Sequence, residues 1–257
     1  VFMGKTIVFE VSLGTADPAI KAISYDLIKK DLEEASGLPV WEIFTDKAAA
    51  DATEAMTFEE ALQKAEQEGY ENIRIVPIFL TKGDLFYETK HTVESYQDRF
   101  DIKISDAVLA DRDSTAFAAG ILTQCLHMDP DREYVLAAYG NPDFSGMAYE
   151  ILQTAFDRNG YDNVFVAQKV SNPGVPECVE FLRRRREGRT DLKPVILVPL
   201  IVSGGNAQMD KLIGETDSFA SALREAGFEV EAQNKGLGEY KQFRRIYTIR
   251  LNSINKE

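Results

Sequence analysis

Histidine is nearly absent from this chain: His91 and His127 are the only two. Imidazole is the commonest metal ligand and the side chain that titrates nearest neutral pH, so the sequence offers few conventional groups for metal or proton chemistry. Cysteine is equally scarce. Cys125 and Cys178 lie far apart, without the paired spacing of zinc or redox sites, and read as free core thiols in a reducing compartment. Cations are in deficit, 29 Lys and Arg against 42 Asp and Glu, for a net charge of −13. That balance argues against a nucleic-acid backbone as partner. No apolar stretch is long enough to span a bilayer. The first residues lack the basic start and small-residue cleavage site of a secretory signal, so a cytoplasmic location is expected. Neither a P-loop nor a Gly-x-Gly-x-x-Gly pattern occurs, which leaves nucleotide binding unsupported. No low-complexity segment or flexible linker interrupts the 257 residues, enough for two domains of ordinary size.

What the chain does have is one pattern written twice. Ile75-Val76-Pro77-Ile78-Phe79-Leu80-Thr81-Lys82-Gly83-Asp84 returns as Leu197-Val198-Pro199-Leu200-Ile201-Val202-Ser203-Gly204-Gly205-Asn206, 122 residues later. Each copy is an apolar strand running into a small, polar, Gly-containing loop. Val11-Ser12-Leu13-Gly14 and Ala138-Tyr139-Gly140 form a second pair of apolar runs that end in glycine. The halves 1–128 and 129–257 are therefore expected to be two similar α/β lobes. Loops at the carboxyl ends of their parallel strands would face a cleft between them, where open α/β folds bind ligands.

The elements follow from hydrophobic period and punctuation. Strands are expected at 6–11, 40–45, 73–80, 103–109, 134–138, 163–167, 195–201 and 228–232. Asp17-Pro18 is an N-cap with proline at the first helical position. Ile20, Ile23, Leu27, Ile28 and Leu32 then predict one helix ending at Gly37. Thr57 with Glu60 predicts a capping box. Further helices are expected over 85–99, 114–127 and 243–251, the last a closing helix. Strands alternating with helices imply parallel sheets with right-handed crossovers.

Ser12, Leu13, Gly14 and Thr15 lie between a strand and a helix start. Such a loop either cradles a carboxylate or phosphate through backbone N–H groups or simply turns the chain. Thr81, Ser203, Gly204 and Gly205 occupy corresponding loops with the same two readings, and Gly140 ends the fifth strand. Asp84 either accepts protons at a site or caps the helix that follows. Phe79, Phe86, Tyr87 and Tyr139 are apolar faces suited to a flat ligand, although Phe79 fits a core equally well. Glu88 and His91 share a helix face and are weak metal candidates beside the bland reading of a solvated histidine. His127 fits the C-terminal end of a helix. Arg183 to Arg186 point all round a helix and read first as a solvated end, or with Arg189 as a site for carboxylates.

The order and spacing of Val11-Ser12-Leu13-Gly14-Thr15, of residues 57–70 (TFEEALQKAEQEGY), of Gly83-Asp84, of Asp217-Ser218-Phe219 and of Gly236-Leu237-Gly238-Glu239 resemble the anaerobic sirohydrochlorin cobaltochelatases of the CbiK type, over nearly the whole chain. The resemblance implies two flavodoxin-like lobes, a tetrapyrrole as small-molecule partner and divalent cobalt as the metal inserted. It also implies metal-binding positions, a histidine, a glutamate and a histidine in the family. Here those positions hold Tyr139, Leu85 and Asn206. Leucine cannot bind a metal, and a neutral amide neither suits cobalt nor accepts a pyrrole proton; a short insertion near Leu85 would let Glu88 occupy the glutamate's space. Tyrosine can ligate ferric iron in haem. The implied functions are thus a tetrapyrrole-binding relative with altered or lost metal insertion, a cobaltochelatase with a non-standard site, or a haem binder using Tyr139. Self-association into a homo-oligomer is open.

Overall fold

The computed structural model describes residues 4–140, 146–204 and 207–255. The chain divides into two compact units, Val1–Ala110 with Gly238–Glu257, and Asp111–Leu237.

The first unit is built on four parallel strands, β1 (Thr6–Ser12), β2 (Val40–Phe44), β3 (Asn72–Pro77) and β4 (Asp101–Ile104), in the order β2-β1-β3-β4. Every residue of β1 and β3 is buried, as expected of strands covered on both faces. One face carries Ile7, Phe9, Val11, Ile73 and Ile75. It packs on α4 (Phe58–Gln67) through Ala61, Leu62 and Ala65, and on α5 (Asp84–Glu94) through Val93. Helices α1 (Pro18–Ile23), α2 (Tyr25–Ser36) and α3 (Lys47–Thr53) join the strands, and α11 (Lys241–Asn255) returns from the chain's end to pack on α2 and β3.

The second unit repeats the strand order. Its strands β5 (Tyr134–Ala138), β6 (Val164–Gln168), β7 (Val195–Pro199) and β8 (Val230–Ala232) lie as β6-β5-β7-β8, all parallel. Val135, Ala137, Leu197 and Ala167 pack against α8 (Val175–Arg186), α9 (Ala207–Ile213) and α10 (Phe219–Glu225). Helices α6 (Arg112–Leu126) and α7 (Met147–Arg158) pack on each other, α7 lying along β6. Cys125 and Cys178 are buried free thiols, and burial pushes the Cys178 thiol well up. Among the described residues no helix is long and apolar enough to cross a membrane.

Local signals read from the sequence recur as hydrogen bonds. Asp17 Oδ1 accepts from the Ala19 and Ile20 amides at 2.8 and 3.3 Å. The Glu60 carboxylate accepts from the Thr57 amide at 2.8 Å, and the Thr57 hydroxyl accepts from the Glu60 amide at 3.4 Å, so the capping box is present.

Four expectations change. The single helix expected from Pro18 to Gly37 breaks at Ser24, whose backbone leaves the helical region and whose hydroxyl donates to the Ile20 carbonyl at 2.6 Å; Ile23 is consequently exposed. The helix expected over 85–99 stops at Glu94, after which the Tyr96 and Arg99 amides make tighter, three-residue bonds to Val93 and Tyr96. The fourth strand lies at 101–104 rather than 103–109, because pairing with β3 ends when the Ser105 amide meets the Ile75 carbonyl. The unit boundary falls at 110–111, not 128–129, and α11 belongs with the first unit, since its buried Phe243, Ile246, Tyr247 and Leu251 accompany its packing on α2 and β3.

Half of the arginine run is partly buried in ion pairs. Arg186 and Arg189 bracket the buried Glu133 carboxylate at 3.0 and 3.1 Å, Arg185 meets Asp162 at 3.2 Å, and only Arg183 and Arg184 of the run are exposed. Removing one member of a buried ion pair strands its partners. Glu133→Ala should therefore destabilise the second unit by about 3 kcal/mol, whereas Arg184→Ala should change stability by less than about 0.5 kcal/mol. Urea unfolding midpoints of both variants check the pair.

Candidate functional site

The candidate residues sit where central strands end. In the first unit Ser12 closes β1 and is buried, Leu13 is exposed, and Gly14 and Thr15 are buried. The Ser12 and Leu13 carbonyls accept from the Thr45 and Asp46 amides at 2.8 and 3.2 Å. The Thr15 hydroxyl accepts from the Asp17 amide at 3.2 Å. This loop is thus pinned to the chain leaving β2. Gly14 has φ +92°, and a Cβ added there would come within 2.5 Å of the Phe44 ring.

The loop after β3 runs to α5. Thr81 is half-buried, and Lys82 pairs with Asp106 at 2.6 Å. Gly83 is the N-cap of α5, and Asp84 is its exposed first residue. Of the two readings of Asp84, the cap is not the one seen: Asp84 lies inside the first turn and Gly83 holds the N-cap position. Leu85 is half-buried in the first turn, and its carbonyl accepts from the Thr89 hydroxyl at 2.8 Å. Phe86 is buried with Tyr87 edge-on to it at 5.6 Å, and Phe79 packs on the core, so only Tyr87 of these three presents an open ring. Glu88 is exposed. His91 is almost fully exposed and lies 3.6 Å from Glu94 rather than against Glu88. A surface histidine with one neighbouring carboxylate has too few donors to hold a metal tightly. His127 is the exposed C-cap of α6.

In the second unit Tyr139 follows β5 and is half-buried. Its carbonyl accepts from the Val170 amide at 3.1 Å, and the Ala138 carbonyl from the Lys169 amide at 2.9 Å, which ties the loop after β5 to the loop after β6. Gly140 has φ +88°, and a Cβ there would lie 2.9 Å from the Gln168 Cβ. Ser203 and Gly204 are buried after β7, close under Gly236, whose added Cβ would meet the Val202 carbonyl oxygen at 2.5 Å. Gly205 and Asn206 lie outside the described residues.

Two lysines collect at this end of the sheet, and sequence reasoning missed both. Lys211 on α9 pairs with Asp217; the Asp217 carboxylate raises its affinity for its proton, and Tyr139 adds to this from nearby. Asp217 is held below the ordinary carboxylate range by Lys211 first and by Lys169 in addition. The signal that could have found Lys169 is its place directly after a sheet strand, the same place Tyr139 occupies after β5. Among the described residues no group of three or more His, Cys, Asp or Glu is arranged to hold a metal ion.

The sequence model of the family described as "Cobalt chelatase (CbiK)" matches residues 5–256. The chain belongs to the CbiK cobalt chelatase family. No curated protein sequence matches it. Its fold is similar to that of SirB from Bacillus subtilis, in a structure with Fe3+, at a TM-score of 0.65 and 13% identity, covering 97% of this chain and 95% of that one. The sirohydrochlorin chelatase SirB from Bacillus subtilis subspecies spizizenii, in complex with cobalt, gives the same score and identity over 98% and 96%. CbiX, described as the terminal enzyme for biosynthesis of sirohaem in denitrifying bacteria, follows at a TM-score of 0.53 and 13% identity over 97% and 98%. These likenesses establish a chelatase fold for a CbiK-family chain.

The loop glycines of this CbiK-family fold are tightly placed. A side chain at φ near +90° is strained in itself, and at Gly14 it would also meet an aromatic ring. Gly14→Ala should cost about 2–4 kcal/mol and Gly140→Ala a similar amount, seen as lower denaturation midpoints.

Proposed function

We propose that this CbiK-family chain binds a polycarboxylate tetrapyrrole of the sirohydrochlorin type, and that metal insertion by it is slow or lost. The observation that carries the reading is the conflict between a family match over residues 5–256 and the side chains at the family's metal positions. Leu85 has no donor atom, and Tyr139 and Asn206 offer a phenol and a neutral amide. Cobalt is held by imidazole and carboxylate donors, and insertion needs a base for the pyrrole protons. The set Tyr139, Leu85 and Asn206 supplies neither function in the usual form.

Binding places fewer demands on the site. A tetrapyrrole of this class presents a flat apolar face and several carboxylates. Leu13, Tyr87 and Val170 are exposed apolar groups at or next to strand-end loops. Lys169, directly after β6, and Lys211 of α9 are cations in a chain whose net charge is −13. The backbone amides of the turn after β1 add neutral donors.

Absorbance titration with metal-free sirohydrochlorin should show saturable binding, and adding Co2+ should give insertion no faster than the protein-free control. Insertion well above that control would overturn the loss of chemistry while leaving the binding intact. The combined variant Tyr139→His, Leu85→Glu, Asn206→His should raise the insertion rate. A haem titration separates the remaining alternative: a Soret change abolished by Tyr139→Phe would replace the sirohydrochlorin-type ligand with haem held by Tyr139.

A further inference from the structure

Glu10 lies in the middle of β1, 1% exposed, and neither carboxylate oxygen has a hydrogen-bond partner among the described residues. Its neighbours across the sheet are Glu42 on β2 and Val76 on β3, in register. Paired residues of adjacent strands project to the same face about 5 Å apart, so two carboxyls are set side by side and a valine closes the other flank. Next along the same face, Ser12 has a buried hydroxyl without a partner among the described residues, and Tyr247 of α11 presents another.

The surrounding charges are already matched without Glu10. Lys21 of α1 pairs with Asp26 and, at 2.8 Å, with Glu42, while Lys29 of α2 lies 3.8 Å from Glu42. Two cations thus face two anions, and a third negative charge would have no counter-ion. Tyr25 of α2 and Tyr247 of α11 supply phenols, not cations, and Tyr247 is itself buried so deeply that its ionisation is pushed well up. Burial first, and the Glu42 charge second, raise the Glu10 carboxyl well above the ordinary range, with Lys21 and Lys29 opposing only in part.

We propose that Glu10 is a buried proton-binding site that folds as the neutral acid, making the β1–α2–α11 face of the first unit sensitive to pH. An isolated buried carboxylate is far costlier than the neutral acid. The sign follows from linkage. The unfolded carboxyl titrates near pH 4.3, roughly the model-peptide value, and the folded one higher. Below the unfolded value both states are protonated and the burial is tolerated in full. Above it, unfolding releases a proton, and the folding constant falls up to about tenfold per pH unit until the folded carboxyl ionises.

The test is the pH dependence of urea unfolding between about pH 5 and 8 for the full chain and for Glu10→Gln, which keeps the shape and removes the titration. Glu10→Gln should lose a slope of close to one proton relative to the parent and be the more stable protein at the alkaline end of that range. Equal slopes in the two proteins would overturn the proposal. A second measurement needs no variant: carboxyl 13C NMR of glutamate-labelled parent protein should show Glu10 titrating at higher pH than the exposed glutamates. A Glu10 resonance that titrates together with the exposed glutamates would overturn it as well.

Discussion

Parallel backbone pairing of the first strand with the third, β1 with β3 and β5 with β7, positions every loop of the candidate site. These strands are buried on both faces, so their registers cannot slip without moving apolar side chains or carboxyls to new neighbours. Each third strand ends in proline. Proline donates no ladder hydrogen bond and is tolerated at a strand end. The ladder is carried one step further by the next residue: the Ile78 amide donates to Val11 at 2.7 Å and the Leu200 amide to Ala137 at 2.8 Å. Pro77 and Pro199 pair with Val11 and Ala137. The chain therefore leaves the sheet at equivalent places in both units, next to the segments that carry Ser12 and Leu13 in one and Tyr139 and Gly140 in the other.

Buried charge is handled in two ways. Arg74 is almost fully buried in β3 and meets the Asp101 carboxylate at 2.8 Å and the Asp101 carbonyl at 3.0 Å. Glu133 has two arginines, and Arg244 of α11 meets Asp31 of α2 at 2.6 Å while donating to the Gly238 carbonyl at 3.1 Å. These pairs tie sequence-distant segments together, the last of them fastening the returning α11 to the first unit. A buried charge stripped of its partner is costly, so each pair also specifies which segments meet. Glu10 has no such cation of its own. That difference makes Glu133 a structural anion and Glu10 a proton site.

The existence and order of the strands are legible in the sequence as short apolar runs, although the third, fourth, seventh and eighth are shorter than those runs suggest. Tyr134–Ala138 emerges with both ends as expected. What is not legible shares one cause, the action of distant residues. Ser24 breaks a helix whose apolar spacing looks continuous. The amphipathic stripe of α11 declares that it has a buried face but not which sheet it covers. The run Arg183 to Arg186 resembles a solvated helix end until Glu133, 53 residues from Arg186, is placed beside it. Glu10 sits inside the apolar run Thr6 to Val11, and a lone acid in a strand carries no sign of whether its face is wet. Within the candidate site, strand-end glycines are legible, whereas the gathering of Lys169, Lys211 and Asp217 depends on where α9 lies.

The stability of this fold resides in its strands and in the helix faces that cover them, and hardly at all in the side chains at the loop tips. Leu85 and Tyr139 are each only half-buried. Replacing a histidine or glutamate at such positions removes chemistry at little expense to folding, which is how one scaffold supports different functions through its loops. Ligand recognition and metal chemistry are then separable. In the proposed function, recognition of a polycarboxylate rests on main-chain amides and on more than one cation, so no single substitution abolishes it. Metal insertion needs imidazole or carboxylate donors and a base, and the proposed loss of it turns on Leu85, whose side chain has no donor atom. The proposed function, binding kept and metal insertion slow or lost, is the combination that this asymmetry favours in a CbiK-family chain.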